Sequence, residues 1–456
     1  MARSPTSTLR HAVGKRLLPP LLGALARARR APLAGRVMAR TVEPFGGSAS
    51  ASTRILALPK AGFTEDVLAA FAGGEEFRLL GFGREYLKSV YPAHLPIWVD
   101  DNSYKSAPPK MDASKAALRN FWTQAWPRVQ VRAQASAVLT GNFAYAAEQE
   151  FGAVVEASGV PFIAMHKEAL KTPGLVNFYT TLYRDRRQAF QGRKILVYNA
   201  IERGIQIDSG IIPPDRVEVC GMPRLDRVHQ WRIRAAQSEI PSGRPLVLFL
   251  SFHPKTGLPV IPRKPGAVEG RLEVLSDGLG EVSWHDLSAQ CHRAVLRLAR
   301  ENPGIDVVVK GKGDLAKWLG LTATAIDNDR PENFKLIVGG DPQDLIARAS
   351  IVCGFTTTAL LEAIASGKPV VVPRFAEALD DDTKPFFLDL GDAVDHAASA
   401  DDLYDRLLAG AVPPAPPSAD LSTHASKMLD HWAGNPDGKA GGRVRAAVMA
   451  EVGRGS

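Results

Sequence analysis

Apolar runs of strand length alternate with helix-length stretches along most of this chain, and the alternation occurs twice. RILALPKAG, FRLLGFG, LPIWVDD (Leu95–Asp101), AVLTGN, VPFIAMHKE, KILVYN and DRVEVCG read as strands. Helical patterns lie between several of them, over Glu65–Ala72, Asp112–Gln134 and Ala144–Ala157. A polar segment bearing Pro and Gly, Arg234–Pro245, interrupts the series. The rhythm then restarts with LVLFLSFHP, IDVVVKGKG, KLIVG, IVCG and PVVVP. Strands that are apolar on both faces and separated by helices predict parallel sheets covered on both sides. At 456 residues the chain exceeds one ordinary core. The expected fold is therefore α/β, with two Rossmann-like domains facing a cleft, over residues 54–235 and 244–410. Residues 1–53 are expected to be a basic flexible arm and linker, and 411–456 a Pro-rich segment with a tail helix.

The net charge of +8 is local. Nine cations, from Arg3 to Arg40, precede the first acid, Glu43; without them 47 basic residues face 48 acidic ones. A near-neutral body argues against a nucleic-acid partner. For the arm three readings stand: a disordered tail, a peripheral anchor to an anionic membrane surface, or an organellar presequence. A helix over Leu21–Arg30 would group Leu21, Leu22 and Leu25 on one side, with Arg29 close to that face. No run of about twenty apolar residues is present, so no spanning helix is expected. The three cysteines show no ligand spacing, which fits buried thiols, a reducing cytoplasmic compartment and no metal site.

Ligands of open α/β sheets bind beyond the carboxyl ends of strands, beside helix N-termini. SIVCGFTTTALLEAIASG is such a place: a strand turns into Thr356, Thr357 and Thr358 at the start of a helix. Free N–H groups there favour phosphate, and Glu362, one turn in, could accept from a ribose diol. A carboxylate between Leu361 and Ala363 needs a partner, because an unpaired buried charge is costly. Lys310 and Lys312, in a Gly-bearing turn, form a candidate anion site without the order of a P-loop. Ser251 and His253 follow the first strand of the second half. In the first half His166 and Glu168, two apart on an extended chain, can face one cleft as base or acid, with Lys167 between them. Asp101 and Arg224 complete the cleft candidates; Arg224 and Asp226 could instead brace each other.

VCGMPRLDRV, followed by DLIARASIVCGFTTTALLEAIASGKPVVVPR, resembles the GT-B superfamily of nucleotide-sugar enzymes, in particular bacterial glycosyltransferases of capsule and surface-polysaccharide synthesis. The resemblance implies a nucleotide-sugar donor on the second domain, with Thr356–Thr358 at the diphosphate, Glu362 at the ribose and Lys310 near the phosphates. It further implies a glycan or lipid-linked acceptor, no cofactor and no obligatory metal. For an inverting reaction Glu168 or His166 would be the base. HKEALKT is similar to the HxEAGxRT stretch of UDP-N-acetylglucosamine 2-epimerases, which share the fold, so an epimerase or a non-catalytic nucleotide-sugar-binding protein is the alternative.

Overall fold

A computed structural model describes residues 17–454 apart from 61, 169, 239–242, 260–281, 314, 323–324, 327–328 and 414. The strands are β1 (Glu43–Gly47), β2 (Thr53–Ala57), β3 (Phe77–Gly81), β4 (Ala137–Thr140), β5 (Phe162–His166), β6 (Lys194–Val197) and β7 (Val217–Val219), then β8 (Leu246–Leu250), β9 (Asp306–Gly311), β10 (Phe334–Val338), β11 (Ile351–Gly354), β12 (Val370–Pro373) and β13 (Asp395–Ala397). They build two sheets, ordered β1-β3-β2-β4-β5-β6-β7 and β10-β9-β8-β11-β12-β13. Every pairing is parallel except that of β1 with β3. The second order is that of a dinucleotide-type doubly wound sheet, whose direction of winding reverses between β8 and β11; in the first sheet the reversal falls between β2 and β4. The two Rossmann-like domains expected from the alternation are thus present. The strands are Val-, Ile- and Leu-rich and buried on both faces because helices cover both sides.

Three expectations change. Residues 17–40 were expected to be a flexible arm. Instead they form two helices, 17–27 and Ala31–Ala39, whose Leu22, Ala26, Ala31, Ala34 and Met38 are buried. Alanine and glycine spacing permits this: Gly35 rides on the carbonyl of Ala125 in the helix Asp112–Ala133, closer than a Cβ would allow. β1 also lies inside the stretch expected to be linker, adding an antiparallel edge. Leu95–Asp101 is a series of turns, because Asp100 accepts from Asn102 N (2.9 Å) and Tyr91 Oη donates to Val99 O (2.7 Å). The first sixteen residues lie outside the described set. Among the described residues no helix is long and apolar enough to cross a membrane.

The chain after β13 returns to the first domain. The helix Thr423–Ala433 packs on the second domain, and Ala440–Gly453 crosses back to seal the first sheet with Val444, Ala447 and Val448 against Ile55, Val67, Leu139 and Met165. Burying each valine contributes on the order of 1.5–3 kcal/mol. The crossing is fixed by Asp226, which accepts from the N–H groups of Ala440 (3.1 Å) and Gly441 (2.7 Å). Asp226 therefore caps this helix and does not brace Arg224. At the crossover Gly434 (φ +58°) passes so close to the backbone that a Cβ would lie 1.9 Å from the Tyr198 carbonyl oxygen. Gly434→Ala should lower stability by about 3 kcal/mol, read as a drop in thermal midpoint, since left-handed backbone and steric clash act together.

Candidate active-site cleft

The carboxyl ends of the two sheets meet, and charged groups collect where they do. β11 ends in Gly354 and Phe355, after which Thr356 takes φ +44°, an unusual conformation for a β-branched residue. The Thr356 methyl sits against Gly257 of the loop after β8, where no larger residue would fit. The kink starts the helix Thr358–Ala365 with Thr357 as its N-cap, the Thr357 hydroxyl accepting from Ala359 N at 3.4 Å. Glu362, only 4% exposed, faces the first domain from the second turn of this helix.

Its partner comes from the other domain. Arg224, at the start of the helix Leu225–Ala235, places Nε 3.4 Å from Glu362 Oε1, Nη2 3.3 Å from the Thr358 hydroxyl and Nη1 3.9 Å from Asp66 Oδ1. Tyr198 Oη donates to the other oxygen of Asp66. Burial pushes both carboxyls, Asp66 and Glu362, above the ordinary range, although Arg224 opposes it. For Arg224 burial acts downward, but Tyr198, Asp66 and Glu362 together keep it firmly charged. Glu362 Oε2 and, on the turn before the same helix, Thr356 Oγ1 are buried with no hydrogen-bond partner among the described residues, while Arg224 Nε and Asp66 Oδ1 are held only by these long ion pairs. Interiors rarely tolerate one such atom without a role, and here two lie on one strand-to-helix segment.

The second cluster lies at the end of β5. His166 is fully buried among Phe143 and Tyr183, with Nε2 3.0 Å from Glu202 Oε1 but off the line of a hydrogen bond. Glu202 also accepts from Gln206 (2.7 Å) and lies 4.0 Å from Lys171, whose ammonium stacks on the Tyr179 ring at 3.8 Å. His166 thus lies in the sealed interior, not on the solvent-facing side that Glu168 takes, contrary to the expectation that the two share a cleft face. Glu168 reaches solvent. Partial desolvation would raise its pKa, but Lys171, His166, Lys167 and Lys60 outweigh that and hold it below the ordinary carboxylate range. Burial lowers Lys167, against the pull of Glu168. Asp101 is occupied structurally: its carboxylate accepts from Ala146 N at 2.8 Å and caps a helix, and its carbonyl accepts from Arg187.

In the second domain, Ser251 lies 2.8 Å from His292 Nε2 and 2.8 Å from Trp318 Nε1, so its hydroxyl is committed to the core side. His253 Nδ1 accepts from Lys255 N at 2.8 Å, which folds the loop after β8. Lys310 is buried, which lowers its pKa, and its ammonium donates to Gly311 O at 3.2 Å. Lys312, by contrast, is exposed. The sequence reading met Lys171 only as part of HKEALKT, and missed Asp66, Tyr198, Glu202 and Lys60. Lys60 and Tyr198 could have been found, because Tyr198 directly follows β6 and Lys60 lies three residues past the end of β2, both at the carboxyl edge.

No protein-family model matches the sequence, and no curated protein does. Solved structures of related shape include UDP-GlcNAc 2-epimerase from Neisseria meningitidis bound to UDP-GlcNAc (13% identity, 88% of this chain and 100% of that chain, TM-score 0.44). Others are UDP-GlcNAc 2-epimerase from Methanocaldococcus jannaschii (10%, 87% and 99%, 0.46) and a UDP-forming α,α-trehalose-phosphate synthase from Burkholderia xenovorans (12%, 88% and 98%, 0.43).

Proposed function

We propose that this protein is a glycosyltransferase that moves a sugar from a nucleotide-sugar donor to a hydroxyl of a surface-polysaccharide or lipid-linked glycan. The observation that carries the reading is the convergence of orphaned polar atoms at the end of β11, beside a helix N-terminus and at the strand where the sheet reverses direction. The helix start and Arg224 would take the charge of the departing diphosphate, and Glu362 would take the ribose hydroxyls. Electrostatic stabilisation of that leaving group is the largest rate term expected. Across the cleft, the solvent-facing and ionised Glu168 would accept the proton of the attacking hydroxyl. His166 would serve only behind it, since its ring is sealed from solvent.

A thermal-shift panel of UDP-, GDP- and CMP-sugars tests the reading. At least one should raise the melting temperature, and stabilisation by none would overturn it. With the stabilising nucleotide, Glu362→Gln should weaken binding roughly ten- to hundredfold, as removal of a charged acceptor does. An epimerase is the second reading, supported by the HKEALKT stretch and the ionised Glu168 within it. Conversion of nucleotide-sugar without any acceptor would favour it; release of nucleotide only when an acceptor is added would favour transfer.

A further inference from the structure

The two N-terminal helices present an outer face that does not match an ordinary wetted surface. On helix 17–27 the inward side is Leu22, Gly23 and Ala26, and the outward stripe is Leu17, Leu21 and Ala24, continued by Ala28 in the turn that follows. Leu17 is 66% and Leu21 45% exposed. The sequence alone groups Leu21 with Leu22 and Leu25; the fold separates them, sending Leu22 into the core and Leu21 out. The next helix, Ala31–Ala39, exposes Leu33 (48%) beside Arg36. Arg27, Arg29 and Arg30 surround the turn between the helices, and Arg40 follows the second. None of these five arginines has an ion-pair partner among the described residues, and residues 17–42 contain no carboxylate. On the helix Asp112–Ala133, against which the second of the pair packs, Arg128, Arg132 and the 76% exposed Val131 are also open to solvent.

We infer that this helical pair is a docking face for the surface of an anionic lipid bilayer. Leucines set among unpaired guanidiniums suit that partner: the apolar stripe enters the acyl boundary while the arginines remain at headgroup level beside lipid phosphates. A second copy of the chain fits worse, because a two-fold contact would bring five unpaired arginines against five more. A nucleic acid would leave the leucine stripe without a partner. The inference does not depend on the nucleotide-sugar reading; it concerns a surface remote in sequence from β11 and from the end of β5.

The test is co-sedimentation of the full chain with vesicles of phosphatidylcholine, with and without phosphatidylglycerol, at low and high salt. Binding is expected only with the anionic lipid and should weaken as salt rises. Arg27→Gln, Arg29→Gln and Arg30→Gln together should lower the partition coefficient roughly a hundredfold, at about fivefold per charge. Leu17→Ser with Leu21→Ser should lower it at least about tenfold. Both variants alter exposed side chains, so their melting temperatures should equal that of the parent. Failure to bind anionic vesicles, or binding that both variants retain in full, would overturn the inference. So would a dimer abolished by the leucine variant, or duplex DNA capture abolished by the arginine variant, where vesicles are not bound.

Discussion

Arg224→Ala should destabilise the protein by about 3 kcal/mol at neutral pH, seen as a clear fall in thermal midpoint. Removing the guanidinium leaves Asp66 and Glu362 buried without their shared cation, and a broken buried pair costs more than the intact pair contributes. The pH dependence gives the mechanism away. Both carboxyls already sit above their ordinary range in the folded protein. A raised carboxyl pKa means the folded state holds protons that the unfolded chain has released, so stability falls as pH rises from the unfolded value, near 4, towards the folded one. Loss of Arg224 raises both further and widens that window. The penalty should therefore be largest at neutral pH and shrink as pH falls towards 4. Asp66→Asn with Glu362→Gln should restore much of the lost stability in the Arg224→Ala background, because the groups act as one unit. A penalty independent of pH, with no recovery in the triple variant, would mean that Arg224 acts by packing alone.

Glu168→Gln should reduce kcat by about a hundred- to ten-thousandfold while leaving nucleotide binding nearly unchanged, as expected for loss of a general base that does not touch the nucleotide. Because nearby cations hold Glu168 below the ordinary carboxylate range, the acid limb of the rate profile assigned to it should also lie below that range. Lys171→Ala should move the limb upward, since Lys171 is the strongest of those cations. A variant that retains activity, or an acid limb indifferent to Lys171, would remove Glu168 from the reaction. His166 gives a contrasting case: substitution there should first unfold the β5 region, because the ring fills a sealed space between Phe143 and Tyr183.

Much of the architecture could be read from the chain itself, because a doubly covered parallel strand has little choice of composition. LVLFL, DVVVK and VVVP are buried on both faces, and their order of appearance with intervening helices already implies two sheets. The turn from β11 into the threonines was legible for the same reason. What the sequence hid is whatever depends on partners distant along the chain. Glu362 and Arg224 are each visible alone, but their pairing requires two domains to be docked. Asp226 looks like a neighbour for Arg224 until the helix Ala440–Gly453 returns to claim it. The N-terminal helices misled because arginine density suggests an arm, whereas the small residues between the arginines, Ala31, Ala34 and Gly35, are what let a helix lie flat on Ala125.

The return of the helix Ala440–Gly453 has a consequence for how the protein is made. During synthesis the first sheet leaves the ribosome long before Val444 and Val448 exist, so Ile55, Leu139 and Met165 must wait with only the helix Phe63–Ala70 and its neighbours over them while the entire second domain is translated. The first domain thus cannot finish folding by itself in the order in which it is made. Its completion is timed by the elongation of everything between, which makes that interval the period when a nascent-chain chaperone would matter most.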